Sequence, residues 1–182
     1  VLYHRYYYES GINQSMRDNL AGISLLAEQT VSLKAGDIVL DIGCNDGTLL
    51  ASYRTQGLRY IGIDPSDVAL KARERGFEVV NDFYSADAFR YIQPSEKARV
   101  VTSISMFYDL ESPCSFVSDI ASVLADDGIW ILEQSYLPAM LEVNSFDTIC
   151  HEHLEYYSLA VLERLFGECG LEVVDVHLND VN

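Results

Sequence analysis

Positive charge is scarce in this sequence: 12 lysines and arginines face 28 aspartates and glutamates, leaving a formal net charge of −16. Such a chain repels a phosphate backbone and an anionic membrane surface alike, so neither nucleic acid nor membrane is an expected partner. Long hydrophobic runs are missing too, although 49% of the residues are hydrophobic. No segment has the uninterrupted apolar length that crosses a bilayer. The four cysteines, Cys44, Cys114, Cys150 and Cys169, form no C-x-x-C pair, and no signal-peptide pattern precedes them. That points to reduced thiols and a cytoplasmic location. No repeat, low-complexity stretch or linker rich in Pro, Gly or Ser divides the 182 residues, a length that suits one domain with a sizeable core.

What is present is an alternation of two patterns. Short apolar, β-branched runs occur at "DIVLDIG" (37–43), "RYIGID" (59–64), "FEVVND" (77–82), "ARVVTSIS" (98–105), "GIWILEQ" (128–134) and "LEVVDVHL" (171–178). Helical spacing fills Gly47 to Gln56, Asp67 to Arg75, Pro113 to Ala125 and Ser158 to Glu168, with Ser112–Pro113 as a helix start and Gly76 and Gly170 as stops. The strands have apolar centres rather than strict alternation, as in a parallel sheet buried on both faces. The expected fold is α/β, a Rossmann-like, doubly wound and mostly parallel sheet. Ahead of it, Ile12, Met16, Leu20, Ile23 and Leu26 recur at three- and four-residue spacing and predict an amphipathic helix over about Asn13 to Glu28. Residues 1–30 thus read as an aromatic arm plus helix, and 31–182 as the core.

In such a sheet, ligands bind at the carboxyl ends of the strands. The first loop there, "VLDIGCNDGTLL" (39–50), turns through Gly43 and Gly47 into a helix amino terminus, where bare N–H groups can meet a ligand. The second, "GIDPS" (62–66), carries Asp64 at a strand tip. An acid there can accept both hydroxyls of a ribose, or simply cap a helix. The dinucleotide fingerprint G-x-G-x-x-G is absent: the glycines fall as G-x-x-x-G with Asn45 between them, which favours another adenosine ligand.

"LDIGCNDGTLL" resembles motif I of class I S-adenosylmethionine-dependent methyltransferases, whose usual D/E-x-G-x-G-x-G has a glycine where this chain has Asn45. The G-C/S-N-D-G variant, the opening "YHRYYYESGINQSMRDNL" and the later "EQSYLPAMLEVNSFDTICHEHLEYYSL" are similar to the branch that methylates carbon in nucleotide-linked ketodeoxysugars. The resemblance implies S-adenosyl-L-methionine as cofactor and a nucleotide-linked sugar as substrate. It implies that Gly43, Asn45 and Gly47 line the methionine part and that Asp41 supports them. Asp64 would hold the ribose, Asp82 and Phe83 would face the adenine, and Ser103 to Phe107 would close the wall beneath. For Phe83, core packing is an equal reading. Tyr6, Tyr7 and Tyr8 lie in a segment that lines the active site in that family, and they are not ranked. Family members also carry a cysteine-rich zinc domain before this core and a second α/β domain after it, and their sheets add a final antiparallel strand. None of these is expected here. A chain opening on Val1 with an unfinished sheet is expected to be part of a longer protein, or to associate, for instance as a homodimer, through an exposed strand.

The run "DTICHEHLEYY" (147–157) follows the fifth strand. His151 and His153 lack the H-E-x-x-H spacing of a zinc site and no second ligand pair stands elsewhere, so no metal is expected. A structural reading has both histidines filling hydrogen bonds in a loop. The catalytic reading starts from chemistry: a C–H bond has no lone pair to attack a sulfonium, so a base must first remove a proton beside a ketone. Histidine titrates near the working pH, a neighbouring acid can stabilise its charged form, and a phenol can stabilise the enolate. By resemblance, His153 is the base, Glu152 its partner and His151 a supporting residue. Many family members have tyrosine where this chain has Cys150.

Overall fold

The computed structural model describes residues 7–179 and 181. Five parallel strands form one sheet in the order β3-β2-β1-β4-β5: β1 Ile38–Ile42, β2 Arg59–Ile63, β3 Glu78–Val80, β4 Ala98–Ile104 and β5 Leu124–Glu133. The doubly wound α/β expectation holds, with every ladder parallel. Parallel strands need crossover connections, and here these are helices or single helical turns. The helices are α1 Gln14–Thr30, α2 Ala69–Glu74, α3 Ala86–Ile92, α4 Pro113–Val123, α5 Leu137–Val143 and α6 Leu159–Glu168.

Each strand shares its side chains between two cores. Ile38, Leu40 and Ile42 of β1 pack with Phe89 of α3, Val117 and Ile120 of α4, and Phe166 of α6. Val39, one residue out of phase, packs on the other face with Leu20, Ile23 and Ala27 of α1 and Ala69 and Ala72 of α2. That is why β1 is buried at all five positions and reads as an unbroken apolar run. Asn13 begins α1 as a true N-cap, its side chain accepting the Ser15 N–H.

Two expectations change, and two helices are added. The helix expected over Gly47 to Gln56 is a single turn at Leu50–Ser52, because Glu28 Oε1 accepts the N–H groups of Arg54 and Thr55 and holds the chain extended there. The run 171–178 joins no ladder among the described residues. Leu171 and Val173 touch the core while Val174, Val176 and Leu178 stay exposed. Helices α3 and α5, each of seven residues, fall in stretches that carried no helical expectation.

Candidate active site

The turn after β1 is built from three left-handed residues, Gly43 (φ 75°), Asn45 (φ 50°) and Gly47 (φ 76°). Asparagine is one of the few side-chain residues that tolerate this region. At Gly47 tolerance is not enough, because a Cβ there would lie 2.9 Å from both Ala72 and Phe77. The turn thus closes directly onto α2. Asp64, at the tip of β2, accepts the Asn45 N–H at 2.8 Å through one carboxylate oxygen and the Ser66 N–H at 2.7 Å through the other. It ties the first and second loops together.

Between these loops and the end of β4 lies a cavity of about 250 Å³. Five of the residues proposed from sequence for cofactor binding line it: Asp41, Gly43, Asn45, Asp64 and Phe83. Gly47 shapes the turn without reaching the wall. Two placements need correction. Asp82 is exposed and folds back to accept the Phe83 N–H, so Phe83, half-exposed, stands at the rim without it. Ser103 is fully buried and accepts the Trp130 indole N–H at 2.8 Å. The strand's alternation sends it away from the cavity, and of the stretch Ser103 to Phe107 expected to close this wall, Ile104, Ser105 and Met106 line it.

Several lining residues were not singled out from sequence. Ser66 and Tyr84 line the cavity, and each keeps a buried hydroxyl oxygen without a partner among the described residues. Asp109 and Leu110, after the turn Phe107–Asp109, complete the far side. Tyr8 and Ser10, from the segment ahead of α1, cover the near side. Tyr6 lies outside the described residues. Position alone pointed to Ser66 and Tyr84, which directly follow "GIDP" and Phe83. Nothing local marked Asp109.

Burial raises the Asp41 carboxyl to about 7; the Thr102 hydroxyl bonded to it opposes the rise and the nearby Asp64 charge adds to it. The Tyr8 phenol is pushed up by burial and then by the Asp46 charge.

The segment 147–157 lies outside this wall. The His153 ring sits on Tyr108, centroids 4.1 Å apart, and the Tyr108 carbonyl accepts the N–H groups of Leu154 and Glu155. Tyr108 directly precedes Asp109 of the cavity. His153 Nδ1 is buried without a hydrogen-bond partner among the described residues. Glu152 is held low by its own backbone N–H, then by the Cys150 thiol, with His151 and His153 adding less. His151 is exposed. None of the three lines the cavity among the described residues.

Residues 8–176 match the family described as a methyltransferase domain. The chain belongs to that methyltransferase family. The C-methyltransferase NovU of Streptomyces niveus is 34% identical over the whole chain, which covers 44% of NovU. A ubiquinone biosynthesis O-methyltransferase of Nitrosospira multiformis is 32% identical over 78% of the chain and 65% of its own length. The chain therefore spans about half to two thirds of the curated relatives it matches. Solved structures share the fold. The cyclopropane synthase MmaA2 of Mycobacterium tuberculosis superposes with a TM-score of 0.67 at 15% identity, covering 93% of this chain and 67% of that one. Magnesium protoporphyrin IX methyltransferase of Synechocystis, solved with bound S-adenosylhomocysteine, gives 0.64 at 14%, covering 96% and 85%.

S-adenosylmethionine is the cofactor of this methyltransferase domain. The cavity suits such a ligand: a left-handed turn whose backbone a ligand can approach, an acid at the second strand tip, apolar Phe83, Met106 and Leu110 for a flat ring, and two buried hydroxyls that lack partners among the described residues.

Proposed function

We propose that the chain catalyses S-adenosylmethionine-dependent methylation of a carbon beside the ketone of a nucleotide-linked deoxysugar, with His153 as the base. The cofactor supplies an electrophilic methyl group. Asp64 would hold its ribose, the turn Gly43–Gly47 its methionine part, and Phe83 its adenine. The chain's own chemical task is to take a proton from carbon.

One observation carries the choice of base. His153 has a ring nitrogen without a hydrogen-bond partner among the described residues, on a ring that packs on Tyr108, the residue before Asp109 of the cavity. A proton acceptor needs such a free nitrogen, and a histidine serving only to fill hydrogen bonds in a loop would have used it. The Glu152 carboxyl, between the two histidines in sequence, is held low first by its own backbone N–H and then by the Cys150 thiol, so it is available as an ionised partner. Similarity to NovU along the full chain supports carbon as the acceptor.

The similarity to an O-methyltransferase favours a second reading, transfer to a hydroxyl. The two part in one assay. Calorimetric titration with S-adenosylmethionine, followed by methyl transfer to nucleotide-linked ketodeoxysugars, is run with native chain and His153→Ala. The C-methylating reading expects equal cofactor binding and a loss of turnover of about a hundredfold or more in the variant. An equally active variant supports the second reading and removes the first.

A further inference from the structure

Asn45 stands where the commoner motif has glycine, and a third glycine would satisfy its backbone better. What the side chain adds is a set of ties to another part of the chain. Its Oδ1 accepts the Ser10 N–H at 2.9 Å, and its Nδ2 donates to the Tyr8 carbonyl at 3.0 Å. The next residue repeats the arrangement, since Asp46 Oδ2 accepts the Gly11 N–H at 2.9 Å. Glu9 reaches Lys71 of α2 at 2.6 Å. Four consecutive residues, 8–11, are thus fastened onto the turn and helix that frame the cavity. Two of them, Tyr8 and Ser10, form part of its wall.

We propose that residues 8–11 are a strap that retains the cofactor, with Asn45 and Asp46 as its latch. The proposal deepens the cofactor assignment and is independent of which acceptor is methylated. The latch accounts for an asparagine at a left-handed position: it holds the turn open to ligand on one side while gripping the strap on the other. Because the Asn45 and Asp46 side chains bond to the backbone of the strap, that part of the hold does not depend on which side chains the strap carries, apart from Gly11. There the fit is tight, as a Cβ on Gly11 would lie 2.6 Å from Asp46 Oδ2 and 2.8 Å from Thr48 Oγ1. A strap that must lift for the cofactor to leave couples its own opening equilibrium to the ligand's release rate.

Neither Gly11 nor Asp46 lines the cavity; Gly11 lies outside the ligand-facing turn and is the primary test of the latch, whereas Asp46 belongs to that turn and gives the supporting one. Gly11→Ala forces Asp46 Oδ2 and Thr48 Oγ1 off the strap, and Asp46→Asn leaves one side-chain acceptor for the two N–H groups, Gly11 and Thr48, that the carboxylate serves. Two readouts are taken on each variant: hydrogen exchange of residues 7–12, and the dissociation rate of S-adenosylhomocysteine by stopped-flow competition. The expected result is faster exchange in the strap, unchanged protection in β1, and release accelerated about tenfold, the worth of one or two lost hydrogen bonds. Exchange that rises while release stays within about twofold of native would overturn the proposal. So would unchanged strap exchange in both variants, which would mean that the latch does not hold it. Failure of methyl transfer to any given acceptor leaves both readouts intact.

Discussion

Asp41 and Thr102 face each other across the β1–β4 ladder, and the threonine hydroxyl donates to Asp41 Oδ1 at 2.6 Å. The pair buries a carboxyl in the wall of the cofactor cavity. Burial raises it to about 7 despite that hydrogen bond, and the Asp64 charge pushes the same way. An unfolded aspartate releases its proton near ~3.9. Between those values the native state holds a proton that the unfolded state has lost, so this group's contribution falls as pH rises from about 4 to about 7 and is flat beyond.

Asp41→Asn keeps an oxygen for Thr102 and removes the ionisation. The variant is therefore expected to gain on the native chain as pH rises, by on the order of 4 kcal/mol above pH 7. Urea unfolding of both proteins at pH 5 and pH 8 checks the sign. A difference in stability that is the same at both values contradicts the assignment.

Asp64 uses both oxygens on backbone N–H groups. In Asp64→Asn one of those oxygens becomes an amide nitrogen, which cannot accept, and one N–H in the buried turn loses its partner. A loss of about 1–3 kcal/mol follows, read by denaturant unfolding, together with weaker cofactor binding by calorimetry. Full stability with weakened binding would mean that the turn is held by other bonds.

Phe107 is fully buried and makes ring contacts with Phe116, Trp130, Tyr157 and Phe166. It anchors the turn that presents Tyr108 to His153 and Asp109 to the cavity. Phe107→Ala is expected to cost about 3–5 kcal/mol and to lower cofactor affinity through Asp109 and Met106. Stability unchanged within about 1 kcal/mol would remove Phe107 from that role.

The sheet was legible because β1, β2 and β4 are buried on both faces and so appear as plain apolar runs; burial of Ile38, Val39 and Leu40 leaves no polar phase to confuse them. The cofactor loops were legible because the glycines and the acid stand at strand carboxyl ends, where this fold binds ligands. The run 171–178 has the same composition and forms no ladder: a strand pattern records apolar and β-branched content, whereas pairing needs a neighbour at hydrogen-bonding distance. Of the stretch Ser103 to Phe107, strand alternation turns Ser103 to the other face while Ile104, Ser105 and Met106 line the cavity, and of the pair Asp82 and Phe83 only Phe83 does, with Tyr84 after it. The hold of Asn45 and Asp46 on residues 8–11 joins segments 35 positions apart and left no local trace.

The central chemical claim is that His153 takes a proton from carbon, and that step is measurable without methyl transfer. A nucleotide-linked ketodeoxysugar is incubated in deuterium oxide with native chain or His153→Ala, and proton resonances beside the ketone are followed by NMR. Native chain is expected to exchange one of them for deuterium well above the buffer rate, and His153→Ala to fall back towards that rate. Exchange at equal rates in both proteins would contradict the assignment of the base.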